Sequence, residues 1–174
     1  MSQNIRYSVV FLDFWHLSSG LSGGARLDNI CIKDEKGFCF VPGKSIKGVL
    51  REIATEFDES LVKECFGDAK HSSKCYFSDA TLGEATKDEL EKQHLIPFLY
   101  DKIASTAIDE QSKCAKDGSL REIEVAKPVR LFAYIANVPS QHKEMMIKVL
   151  KSLKRMGLNR NRGLGRLQIE ILED

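Results

Sequence analysis

The chain has 174 residues, 43% of them apolar, enough to close one hydrophobic core and too many for a disordered chain. A formal charge of +1 gives no global pull toward nucleic acid, so any such role has to rest on where the charges lie. No apolar run reaches the roughly 18 residues of a membrane span, and five cysteines behind an N-terminus without basic and apolar signal regions point to reduced thiols in a cytoplasm.

Residues 5–15, IRYSVVFLDFW, are β-branched and aromatic and apolar on both parities, which predicts a central strand covered on part of both faces. His16–Gly24, HLSSGLSGG, packs three glycines and three serines into nine residues and reads as a loop with positive φ, with Ser19 and Gly20 close to a ligand chain or another strand. Asp28–Arg51, DNICIKDEKGFCFVPGKSIKGVLR, then joins a carboxylate, a hairpin turning at Lys33–Gly37, a Pro-Gly break and a helix over 45–57. In that helix Ser45 can serve as the cap, and Ile46, Val49, Leu50, Ile53, Ala54 and Phe57 form the core face. Lys44, Lys47 and Arg51 form a second, wet stripe. Free N–H groups and the positive dipole end at the helix start make this stripe a seat for a row of phosphates.

Beyond it, a short helix near Ser60–Cys65 and a strand over Cys75–Leu82 are expected, followed by a polar, charged stretch over 84–94 that is mostly acidic between Glu84 and Glu91. Leu95–Ile135 alternates weakly, with breaks at Gln111–Gly118 and Pro128, and predicts strands carrying a protruding, mobile insertion. Residues 105–121 have little apolar content to offset their ordering entropy, and are expected to order only against RNA and neighbouring subunits. A half-buried strand at 129–135, a helix from Pro139-Ser140 ended by Gly157, and a last strand at 167–171 complete the chain. The order is that of a ferredoxin-like (RRM-like) α+β domain with insertions, one domain over residues 1–174.

Between Lys143 and Arg166 eight basic residues face one acidic residue, Glu144. The loop Asn159–Arg166, NRNRGLGR, joins Arg160, Asn161, Arg162 and Arg166 to Gly163 and Gly165. Guanidinium forks and bare backbone N–H groups could approach the same phosphates there, or the loop is a tight turn with solvated arginines. Paired with the Lys44/Lys47/Arg51 stripe it suits an extended anionic backbone better than one small anion, and neither stretch is a nucleotide-hydrolysing P-loop. Cys65, His71 and Cys75, separated by five and three residues, could supply three zinc ligands without an obvious fourth. Cys31, Cys39 and the Met145-Met146 pair read as core.

His16-Leu-Ser-Ser-Gly20, Asp28, VPGKSIKGVLR and RNRGLGRL, in this order, resemble the RAMP superfamily of CRISPR systems. The likeness is greatest to the backbone subunit of type III effector complexes, which polymerises along guide RNA. Residues 103–125 resemble that family's protruding thumb, its insertion placed at about 103–122, while residues 58–102 leave little room for a large lid. The resemblance implies a ferredoxin-like palm, a thumb that wedges between bases of the guide–target duplex, and a C-terminal glycine-rich loop on the guide. It also implies a catalytic aspartate, at the place of Asp28, that cuts target RNA with a divalent metal, Mg or Mn. His16 could stack on a base or assist at the scissile phosphate. Without the resemblance, Asp28 is ordinary turn chemistry, and Asp79 and Asp109 are solvated turn residues. Three functions remain open: a target-cleaving endoribonuclease subunit, a non-catalytic RNA-binding scaffold of the same complex, and a nuclease processing the guide precursor, which usually wants a catalytic histidine. The implied partners are guide RNA, complementary target RNA, further copies of the chain and other effector subunits in a prokaryotic cytoplasm, with no membrane.

Overall fold

The computed structural model describes residues 2–21, 27–68 and 70–173. Strand β1 (Ser2–Phe11) pairs antiparallel with β5 (Arg130–Pro139) on one side and with β6 (Leu167–Leu172) on the other, and β2 (Tyr76–Phe77) adds to the far edge of β5, giving the order β2-β5-β1-β6. Helices α1 (Gly43–Thr55) and α4 (Lys143–Ser152) lie in the β1–β2 and β5–β6 connections. This is the ferredoxin-like βαββαβ plan, with everything between Ser78 and Val129 inserted before its third strand.

Alternation explains the layers. Ile5, Tyr7, Val9 and Phe11 of β1, Leu131, Ala133 and Ile135 of β5, and Leu167 and Ile169 of β6 point inward and are buried. They meet Ile46, Leu50 and Ala54 of α1 and Met146, Val149 and Leu150 of α4, residues at helical spacing on one face. Strand β1 is central as expected but stops at Phe11, where the Trp15 ring stacks on Phe11 at 4.3 Å and closes that end of the core.

Several boundaries differ from expectation. Helix α1 starts at Gly43 and Ser45 does not cap it, its N–H donating instead to the Pro42 carbonyl at 2.9 Å. Phe57, expected on the core face, lies past the helix end and is 47% exposed. The chain turns there because Asp58 caps the next turn, α2 (Glu59–Leu61), by accepting from Ser60 N–H and Leu61 N–H. Within 75–82 only Tyr76-Phe77 is strand, although Ala80 and Thr81 still bridge to Val41 and Phe132. The 84–94 stretch is mostly a helix, α3 (Glu84–Lys92), with no buried residue; the Lys87–Glu84 ion pair at 2.8 Å supports it. Helix α4 ends at Ser152, five positions before Gly157.

The protruding insertion is a separate two-stranded ladder of β3 (Tyr100–Ser105) and β4 (Arg121–Ala126), wider than 103–122. At its tip Asp109 accepts from Gln111 N–H, Ser112 N–H and the Ser112 hydroxyl, holding a turn that Ile108↔Ala115 closes. Among the described residues no helix is long and apolar enough to cross a membrane.

Burial gives the thiols testable chemistry. Cys31 and Cys39 are enclosed, and desolvation pushes both thiols up to about 12, whereas Cys114 on the hairpin tip is exposed. A thiol reacts as its thiolate, so at pH 8 iodoacetamide should label Cys114 within minutes and the enclosed cysteines only on unfolding. Mass mapping checks this, and early labelling of Cys31 or Cys39 would contradict the burial.

Candidate nucleic-acid interface

Residues 12–16, just past β1, are the point from which three loops hang. Leu12 N–H donates to the Arg166 carbonyl at 2.8 Å, Gly165 N–H to the Phe14 carbonyl at 2.8 Å, and Leu158 N–H to the His16 carbonyl at 2.8 Å, fixing the glycine-rich loop. Trp15 and Ala126 exchange two backbone hydrogen bonds at 3.0 and 2.8 Å, and the Trp15 indole donates to the Lys127 carbonyl at 3.0 Å, fixing the root of the β3–β4 hairpin. His16 Nδ1 donates to the Glu124 carbonyl at 2.6 Å. Because a carbonyl only accepts, the ring proton on this bond sits on Nδ1.

The third loop is the one carrying Asp28. Residues 17–21 pair with 30–32 through Ile32 N–H to the Leu17 carbonyl at 2.8 Å and Ser19 N–H to the Ile30 carbonyl at 3.1 Å. The residues 22–26, with Gly23 and Gly24 of the serine–glycine stretch, lie outside the described residues. Asp28 N–H donates to the Glu122 carbonyl at 2.9 Å, and Glu122 N–H donates back to Asp28 Oδ2 at 2.9 Å. Exposed Asp28 is thus held by its backbone and one carboxylate oxygen against strand β4. Further in, Glu124 accepts from Cys31 N–H at 3.0 Å and from Lys33 at 2.8 Å, with the Lys33 ammonium 3.8 Å from the centre of the Tyr100 ring.

The expected site residues divide. Asp28, Ser19 and Gly20 share one loop, with Gly20 at φ +79 and its N–H on the Ser18 hydroxyl at 3.0 Å. Ser19 turns its hydroxyl onto the Ile30 carbonyl at 3.1 Å, so it shapes the loop. His16 corrects its expectation: it is fully buried, its ring committed to Glu124, and cannot stack on a base in this arrangement. Lys44 and Arg51 are exposed along α1, while Lys47 is half-buried with its ammonium 5.9 Å from the Phe77 ring centre. The helix start is less open than its sequence implies, because the Asp79 carboxylate accepts from Gly43 N–H at 2.7 Å. A carboxylate already complements the dipole there, so the helix start is not an open anion seat. Asp79, expected as a solvated turn residue, is therefore a helix cap supplied from 36 residues away. Gly43 itself is required by contact, since a Cβ there would lie 2.2 Å from the Phe77 carbonyl oxygen.

In the glycine-rich loop Arg160, Asn161, Arg162 and Gly163 are exposed, and Arg155 donates to the Arg160 carbonyl at 2.8 Å. Arg162 N–H donates to the Asn159 carbonyl at 2.7 Å and Gly165 N–H to the Phe14 carbonyl at 2.8 Å, so these two N–H groups serve the loop's own shape. Arg166 differs from its neighbours: its fork is on Asp13, at 3.1 Å through Nε and 3.2 Å through Nη2. Its charge is already paired.

The zinc expectation is corrected. Cys75 Sγ lies 3.7 Å from the Asn137 carbonyl oxygen, His71 Nδ1 sits on Asp68 at 2.9 Å, and among the described residues no three His, Cys, Asp or Glu side chains converge. Asp68 turns His71 aside by also accepting from its backbone N–H at 2.7 Å, an interaction local spacing does not announce.

A sequence profile of the RAMP superfamily matches residues 9–168, a span running from β1 through the glycine-rich loop into β6. The chain belongs to the RAMP superfamily. Among solved structures it resembles a chain of a type III-B Cmr-beta complex bound to cognate target RNA, with a TM-score of 0.80, 12% identity, and 98% of this chain and 97% of that chain covered. A chain of the same type of complex in its apo state aligns with a TM-score of 0.76 and 13% identity over 98% of both chains. No curated protein matches the chain. At these identities the likeness is one of fold, and it extends over the RAMP palm and its inserted hairpin alike.

Proposed function

We propose that this RAMP protein is an RNA-binding subunit of a type III CRISPR effector complex, and that it cleaves complementary target RNA at Asp28. The observation that carries the reading is how its parts are joined: residues 12–16 hold the β3–β4 hairpin and the arginine-bearing glycine loop through direct backbone hydrogen bonds, and the Asp28 loop is pinned to the same hairpin through Asp28 and Glu122. Guide RNA would run along Lys44, Lys47, Arg51, Arg160 and Arg162 through its phosphates, without base preference. The hairpin would splay the duplex beside Asp28, and further copies of the chain and other effector subunits would extend the path.

The chemistry asks little of the protein beyond position. An RNA 2′-OH can attack its own neighbouring phosphate once the strand is held in line, breaking the bond to the 5′-oxygen and leaving a 2′,3′-cyclic phosphate; a fixed carboxylate can take the 2′-OH proton, and solvent water can protonate the departing 5′-oxygen. Asp28 is fixed by the Glu122 N–H on Oδ2. Its single carboxylate suits a divalent ion only if the remaining ligands are RNA phosphate oxygens, and such an ion would neutralise charge on the phosphate. The alternative of a non-catalytic scaffold draws on the same bond, because a carboxylate that ties the loop to β4 has a purely structural use. A guide-processing role loses support with His16 enclosed and His71 held by Asp68.

The binding half is tested by a doubly substituted Arg160→Ala/Arg162→Ala chain. Each lost phosphate contact should flatten the dependence of log K on log salt by about 0.7–0.9, whatever the RNA sequence. An unaltered salt slope would mean the loop does not lie on RNA.

A further inference from the structure

The sheet has a second face, turned away from α1 and α4. Because Leu131, Ala133 and Ile135 of β5 point inward, the alternate residues Phe132 and Tyr134 point outward, and the β2 residue Tyr76 joins them. These three rings are 39%, 43% and 57% exposed, in a four-stranded sheet whose other aromatics, Tyr7, Phe11 and Phe77, are buried. Tyr76 and Tyr134 lie 6.0 Å apart between ring centres, and Phe132 and Tyr134 stand two residues apart on one strand, about 7 Å. Arg6 is the register partner of Tyr134, and Arg130 lies next along the same face of β5. The carboxylate on β6, Glu170, is neutralised by Arg130 at 2.9 Å.

We infer that this outer face is a stacking platform for unpaired bases of single-stranded RNA, with Tyr76, Phe132 and Tyr134 taking the bases beside the guanidinium groups of Arg6 and Arg130. Several observations favour RNA over a protein. Exposed rings at period 2 offer separate surfaces for successive splayed bases, a use every base supports because each has a flat π face. The flanking side chains are arginines, whose planar guanidinium groups can stack on bases even when, as for Arg130 on Glu170, the charge is already paired. The assignment rests on the RNA-binding reading above but adds contacts of a different kind, to bases instead of phosphates, on the side of the sheet opposite the α1 stripe.

The test compares a twelve-nucleotide oligouridylate with an abasic ribose-phosphate chain of equal length, using the whole chain. A Tyr76→Ala/Tyr134→Ala variant should bind the oligouridylate ten-fold or more weakly, and a Tyr76→Phe/Tyr134→Phe variant, which keeps the rings, should bind as the native chain does. All three should bind the abasic chain equally, and the salt slope should not move. Should the alanine pair fail to fold, 4-thiouridine crosslinking to the native chain decides, with adducts expected on Tyr76, Phe132 or Tyr134. Equal loss for both oligomers, no loss for either, or crosslinks confined to other elements would overturn the platform. So would a concentration-dependent oligomer that the alanine pair dissolves without a change in RNA affinity, since the face would then be a protein contact. The phosphate seats are judged separately by abasic binding of the Arg160→Ala/Arg162→Ala chain, and no binding of either oligomer by the native chain would overturn both readings.

Discussion

Asp28→Asn should lower the single-turnover rate of target cleavage by about 10²-fold or more while leaving RNA binding and assembly close to native, if the carboxylate handles a proton or a metal at the cut. The structure makes the substitution cleaner than its sequence context suggests. Asp28 is held by two hydrogen bonds to Glu122, one from its own N–H and one accepted by Oδ2. An asparagine carbonyl oxygen can accept the same Glu122 N–H, so the loop should stay on β4 and only charge and proton capacity are removed. Arg160 and Arg162, proposed above to meet phosphate, are on a different loop. Rates measured on complexes assembled with the native and the substituted chain decide between the two readings, and an unchanged rate would make Asp28 a tether between loop and hairpin. An Asp28→Ala variant separates the roles further: it should lose both the tether and the cleavage, with added proteolytic sensitivity in the loop that the asparagine variant lacks.

How much of this was legible before folding depends on the range of the interaction. The strand alternation at 129–135 and 167–171 and the apolar stripe Ile46–Leu50–Ala54 are local patterns, and they place the sheet and both helices. Asn159–Arg166 and Asp28 could likewise be picked out as short motifs. What stayed hidden is set by contacts across the chain. His16 looks like a loop histidine until the Glu124 carbonyl, 108 positions later, accepts a hydrogen bond from its Nδ1. The α1 start looks like an open anion seat until Asp79 arrives from the β2 exit. Arg166 is indistinguishable in sequence from Arg160 and Arg162, yet only it meets Asp13. Helix α3 was missed for the opposite reason, since Glu84–Lys92 buries nothing and its periodicity carries no apolar signal. The outward aromatics of β5 were hidden inside a correct reading, because alternation announces which residues face the core and leaves the other parity unexamined.

The glycines of the C-terminal loop divide by geometry, and Gly165→Ala should be the most damaging single change in it. At φ +69 a β-carbon is already disfavoured, and one built at Gly165 would stand 2.0 Å from the Met156 carbonyl oxygen, closer than any real contact. That oxygen is backbone and cannot swing aside. Gly165 also donates to the Phe14 carbonyl at 2.8 Å and accepts from Met156 N–H at 2.9 Å, so moving the loop breaks its attachment to the segment that also holds the β3–β4 hairpin. The combined cost should be about 3 kcal/mol or more, a fall in Tm on the order of 10 °C for a domain of this size. Gly163→Ala provides the control. Its φ of +94 is as unfavourable, but nothing lies within 4 Å of the added carbon, so only the conformational penalty of about 1–2 kcal/mol remains. Thermal unfolding of the two variants should therefore differ by several degrees, with Gly165→Ala also losing affinity for RNA because Arg160 and Arg162 move with the loop. Equal shifts in Tm would show that the loop closes on Met156 less tightly than its geometry implies.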